Sequence, residues 1–67
     1  MTVLEQSVFA ALRDGRWRTA TDCAFKAGLP EIRTQEALDG LSAKGRIRRE
    51  RCNFVNIYRA GYPEAEE

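Results

Sequence analysis

Leu4, Val8, Ala11 and Leu12 recur at i, i+4, i+7 and i+8, the spacing of one face of a helix. Thr2-Val-Leu-Glu5 opens that stretch with a capping box, in which the threonine oxygen and the glutamate carboxylate each satisfy a backbone N–H of the first turn. Arg13-Asp14-Gly15 closes it, with Gly15 free to take the left-handed cap conformation. Phe9, beside the stripe, is expected at the edge of the core. Arg16-Trp17-Arg18 is too short for a helix and alternates, which predicts a bridge or short strand turning Trp17 inward. Thr19 is then a good N-cap, with Asp22 in the first turn of a helix from about Ala20 to Ala27. Ala20, Cys23, Ala24 and Ala27 form its face of small side chains, which lets another helix approach closely. Gly28 caps this helix, Leu29 packs back, and Pro30 suits the first turn of the next because its missing N–H would be unpaired there.

The third helix, from about Pro30 to Lys44, organises the rest. Thr34, Ala37, Leu38 and Leu41 make its buried seam, and Lys44-Gly45 gives a basic last turn followed by a glycine stop. Its opposite side centres on Ile32, Glu36, Asp39 and Ala43, flanked by Arg33 and Gln35. From Gly45 the period changes to two. Strands are expected at about 46–50 and 54–59, reversing at Arg51-Cys52-Asn53. Pairing Ile47 with Ile57 and Arg49 with Val55 makes one face mostly apolar and leaves Arg46, Arg48, Phe54, Asn56 and Tyr58 on the other. A one-residue slip exchanges the two sets and turns Tyr58 inward. The elements amount to an α+β fold of three helices and a C-terminal two-stranded hairpin, with a short strand after the first helix.

Sixty-seven residues make one domain, 1–67, with a core at 3–59 and a flexible acidic tail at 60–67. A core this small leaves room for one working surface and no deep pocket, so no small-molecule substrate is expected. The apolar runs are too short for a membrane span or a signal-peptide core, which points to the cytoplasm. Histidine is absent, and so are the P-loop, G-x-S-x-G and H-E-x-x-H patterns; neither an enzyme nor a cofactor is expected. Cys23 and Cys52 lack metal-knuckle spacing and are read as thiols, Cys23 packed among alanines and Cys52 exposed at the hairpin tip. The net charge of +1 conceals an uneven distribution: residues 44–51 carry five bases and one acid, whereas Glu64, Glu66 and Glu67 carry the tail.

Thr19-Ala-Thr-Asp-Cys-Ala-Phe-Lys-Ala-Gly-Leu-Pro30 resembles the second helix and turn of bacterial and phage winged helix-turn-helix regulators. Ala37-Leu38, Leu41 and Gly45-Arg-Ile47 fall where those domains place the core side of the recognition helix and the entry to the wing. The resemblance covers residues 3 to 59. It implies a prokaryotic or phage transcriptional regulator whose partner is double-stranded DNA, the third helix lying in the major groove. Arg33 and Gln35 would then read or steer there, Arg toward guanine and Gln toward adenine. Lys44, Arg46, Arg48, Arg49 and Arg51 would hold the phosphate backbone, and Arg16 and Arg18 would grip it from the short strand. Specificity would call for a homodimer on adjacent half-sites or a partner protein. The alternative is a protein–protein interaction module docking through the acidic face of Ile32, Glu36, Asp39, Gly40 and Ala43. Phe54 and Tyr58 are expected to close the core under the wing rather than to stack on unpaired bases.

Overall fold

A computed structural model of the chain describes residues 1–61. Three helices form: α1 (Val3–Ala11), α2 (Ala20–Ala27) and α3 (Glu31–Ala43). Three strands complete the fold, β1 (Arg18–Thr19), β2 (Ile47–Cys52) and β3 (Val55–Ala60), in an antiparallel sheet of order β1-β3-β2. Residues 62–67, which include most of the expected acidic tail, lie outside the described residues.

The local signals act as their chemistry requires. The Thr2 N–H donates to Glu5 Oε1 at 3.0 Å and the Glu5 N–H to Thr2 Oγ1 at 3.1 Å, which completes the capping box. Thr19 accepts from the Asp22 N–H at 3.1 Å, and Gly28 ends α2 in the left-handed region, φ 70°. Pro30 is the N-cap of α3 rather than its first residue, and its carbonyl accepts from both the N–H and the Oγ1 of Thr34. That second bond explains how a threonine sits wholly buried on an otherwise apolar seam. Val8, Leu12, Cys23, Ala37, Leu38, Leu41, Ile47, Tyr58 and Ala60 form the core, with Leu4, Phe9, Ala20 and Leu29 packed against it.

Glu5 is buried at the contact of α1 with α3, where Lys44 Nζ donates to its Oε1 at 2.6 Å. The Lys44 ammonium and the Thr2 backbone hold the Glu5 carboxyl below its ordinary pKa. The stabilisation from that shift is present above the unfolded glutamate's pKa of about 4.3 and fades as pH falls through the lower folded value. Glu5 also explains a glycine inside α3, where glycine ordinarily weakens a helix. A Cβ on Gly40 would collide with Glu5 Oε2 and lie 3.3 Å from its Cδ. Gly40→Ala is therefore expected to destabilise the wild-type chain, whereas in a Glu5→Ala background it should stabilise by up to about 1 kcal/mol, the helix preference of alanine over glycine. Chemical denaturation of the four variants reads this directly, and the same sign in both backgrounds would show that Glu5 does not impose the glycine.

The hairpin departs from the sequence reading. Ile47 pairs with Ala60, Arg49 with Tyr58 and Arg51 with Asn56, a register three residues from the expected Ile47–Ile57 pairing. Being odd, the shift exchanges the faces of β3. Tyr58 turns inward, 1% exposed, while Val55 is 48% exposed on the outer face. The reversal is a two-residue turn at Asn53-Phe54, not Arg51-Cys52-Asn53, and both turn residues have positive φ, 51° and 69°. Two left-handed residues match a tight hairpin to the twist of its strands. Asparagine tolerates that conformation; phenylalanine is disfavoured there by about 1–2 kcal/mol. Phe54 does not close the core but stands 92% exposed at the tip. Trp17 also stays at the surface, 38% exposed, with the Arg59 guanidinium 5.8 Å from its ring centre.

Candidate nucleic-acid interface

Strand parity sorts the basic residues of the wing. Arg49 and Arg51 stand opposite Tyr58 and Asn56, on the sheet face that packs toward the helices. Arg48 stands opposite Arg59 on the outer face, beside Ile57 and Val55. Arg46 precedes β2, its N–H bound to the Leu41 carbonyl at 2.9 Å and its carbonyl accepting from Gly61 at 3.0 Å. These bonds fix the root of the wing on the end of α3. Arg46, Arg48, Arg49 and Arg51 are all exposed, and among the described residues no carboxylate lies within ion-pair range of them.

The other expected contacts are placed differently. Gln35 is half-buried, and its amide donates to Tyr58 Oη and to Asp39 Oδ1, each at 3.1 Å. It ties α3 to β3 instead of projecting from the helix. Lys44 is engaged with Glu5. Arg18 has only 15% of its side chain exposed, and its guanidinium bridges Asp14 and Asp22, holding the Asp14 carboxyl below its ordinary pKa. It joins the loop after α1 to α2. Arg33 is open but shares Glu36 at 3.3 Å, and Arg16 is exposed beside Trp17.

Between the helices and the wing runs an open cleft of about 250 Å³, lined by Thr21 of α2, Glu31 and Gln35 of α3, and Phe54, Asn56 and Tyr58 of the hairpin. Thr21 Oγ1 donates to Glu31 Oε2 at 2.8 Å across it, which locks the starts of α2 and α3 together. A second concavity of about 400 Å³ is lined by Arg49, Glu50, Arg51 and Asn56. Asn56 belongs to both and was not apparent from sequence, because only the true register sets it opposite Arg51. The surface so built is a polar trough with the start of α3 on one side and a basic ribbon on the other.

Its thiols do not contribute. Burial pushes the Cys23 thiol up to about 11, so it stays protonated in the core, while Cys52 is exposed near the wing tip. Among the described residues, no helix is long and apolar enough to cross a membrane.

No family model and no curated protein matches the sequence. Solved structures do match. The chain is similar to Bordetella bronchiseptica BpsR, described by the regulation of its DNA binding by 6-hydroxynicotinic acid, with TM-score 0.86 and 14% identity over 97% of this chain and 48% of that one. It is similar to the transcriptional regulator BldR of Sulfolobus solfataricus, with TM-score 0.80 and 22% identity over 98% of this chain and 49% of that one. The archaeal chromatin protein TrmBL2, described as showing a novel mode of DNA binding, matches with TM-score 0.81 and 25% identity over 96% of this chain and 24% of that one. The chain thus spans half or less of the length of these three neighbours. With three helices, a short strand and a C-terminal hairpin superposing on such structures, the chain has the winged helix-turn-helix fold.

Proposed function

We propose that this chain binds double-stranded DNA and acts in transcriptional or phage regulation, with the exposed start of α3 in the major groove and the wing on the flanking backbone. The observation that carries this reading is the set of Arg46, Arg48, Arg49 and Arg51 on the wing, exposed and without carboxylate partners among the described residues, with Arg49 and Arg51 on the face turned toward the helices. Guanidinium groups held that way release counterions when phosphates replace them. The DNA-binding character of solved neighbours with this fold supports the same reading. Arg33 is the base-reading candidate of α3, since its ion pair with Glu36 is an exposed surface contact that a guanine edge can displace. Gln35, Lys44 and Arg18 serve by holding the elements in place, and Arg16 is a peripheral phosphate contact.

A second reading has its own support. Ile32 is 72% exposed and stands on α3 with Glu36 and Asp39, an apolar and acidic surface suited to a protein partner. Titrating a random-sequence duplex at about 20 mM and about 200 mM salt separates the two. Two to four phosphate contacts give a log–log slope of about −2 to −4. Steep, salt-sensitive binding with amide shifts at 31–36 and 46–56 is the expected result. Absence of binding at the lower salt would transfer the assignment to protein docking.

A further inference from the structure

The tip of the wing is built against its own local preference. The second position of a two-residue hairpin turn is ordinarily glycine, and here it is Phe54, at φ 69° and 92% exposed. The ring does not pack into the core, so burial does not offset the strain. Strain of this kind persists at sites where function uses it. The rungs below are ordered. Cys52 pairs with Val55, itself 48% exposed, and the next rung is Arg51 with Asn56. The ribbon therefore ends in an apolar head, Phe54 and Val55, above a basic collar, Arg51 and Arg49.

Resting on the DNA-binding reading above, we propose that Phe54 is an apolar wedge that the wing inserts at a base step in the DNA minor groove. That groove, about 6 Å wide, admits the tip of a two-residue turn but not a dressed two-stranded ribbon, in which strands alone lie about 4.8 Å apart. An aromatic edge driven into a base step unstacks it and kinks the duplex, and the collar arginines meet the phosphates that the kink brings closer. The two-residue turn holds Phe54 at the end of the hairpin, 92% exposed at the mouth of the cleft, so the wedge is presented before contact. Selectivity then follows from the deformability of the step: flexible pyrimidine–purine steps accept the ring, and stiff A-tracts resist it.

The test compares wild type with Phe54→Gly and Phe54→Leu on two duplexes of about 20 base pairs, identical except for a central TpA or ApA step and carrying 2-aminopurine at that step. Wild type is expected to prefer the TpA duplex by about fivefold or more and to raise the 2-aminopurine fluorescence as the base unstacks. Phe54→Gly, which relieves the backbone, is expected to melt at or above the wild-type temperature, to keep the salt slope, and to lose both the preference and the fluorescence rise. Phe54→Leu is expected to keep part of each. Undiminished TpA preference and fluorescence in Phe54→Gly would overturn the wedge while leaving DNA binding intact. A lowered melting temperature accompanying the lost affinity would mark Phe54 as a structural residue and overturn it too. Failure of wild type to bind either duplex at about 20 mM salt would remove the DNA-binding reading, and the wedge with it.

Discussion

Arg49→Glu together with Arg51→Glu is expected to lower affinity for duplex DNA by about a hundredfold or more near 100 mM salt. Both side chains stand on the helix-facing side of the wing, opposite Tyr58 and Asn56, so both border the trough that a phosphate strand would follow. Each loss removes about 0.9 from the log–log salt slope, and each reversal adds repulsion where attraction stood. The reversal should leave the fold intact, since neither guanidinium makes an ion pair with a described carboxylate. Arg48→Glu with Arg59→Glu, on the outer face of the sheet, is expected to cost less affinity. Fluorescence anisotropy with a labelled duplex measures all four charges, and equal losses from the two faces would show that the wing does not present one side to DNA. Glu36→Lys with Asp39→Lys is the complementary change. It should preserve or raise duplex affinity, because it removes carboxylates from the exposed side of α3.

Tyr58→Ala is expected to cost about 3–5 kcal/mol, the range for truncating a buried aromatic. A domain of this size has a total stability of about 3–10 kcal/mol, so the variant should be largely unfolded near room temperature. Tyr58 is central to the sheet. It pairs with Arg18 on one side and Arg49 on the other, and its hydroxyl accepts from the Gln35 amide at 3.1 Å. Tyr58→Phe deletes only that hydroxyl. Gln35 retains Asp39, so the cost should be about 1 kcal/mol. Urea denaturation distinguishes the pair, and a Tyr58→Ala cost below about 1 kcal/mol would show that the tyrosine does not anchor the wing.

The helices were legible because their signals are local. Thr2, Thr19 and Gly28 cap as their chemistry requires, and Cys23, Ala24, Thr34, Ala37, Leu38 and Leu41 are buried on the faces that a 3.6-residue period assigns. The hairpin lacked such a signal. β2 has one buried residue, Ile47, followed by five exposed ones, and β3 offers two plausible apolar sets, Val55 with Ile57 or Tyr58 with Ala60. A tertiary contact, Tyr58 with Gln35, accompanies the second set. Asn53 hinted at a two-residue turn, but Phe54 in place of the usual glycine concealed it.

For the candidate interface, the cluster of arginines was visible in sequence, but the engagement of its neighbours was not. Lys44 finds Glu5 from the far side of the chain. Arg18 lies four residues from both Asp14 and Asp22, but it sits on β1 between two helices, so the clamp depends on how the loop after α1 is placed. The burial of Glu5 follows from the close approach of α1 to Gly40, which no single segment reveals.

Among the described residues, the strand order β1-β3-β2 puts the strand that is last in chain order in the middle. Neither β1 nor β2 has a neighbour among the described residues until residues 55–60 exist, because each pairs there with β3 alone. On a ribosome the helices can therefore form and collapse while the sheet waits, with Arg18–Thr19 and Ile47–Cys52 as two unpaired ribbons separated by the place of a missing third. Closing that gap joins residues 40 positions apart, Arg18 and Tyr58, in one late step. Chains released before that strand emerges lack the sheet altogether, so nonsense truncation within the hairpin yields no partial winged domain.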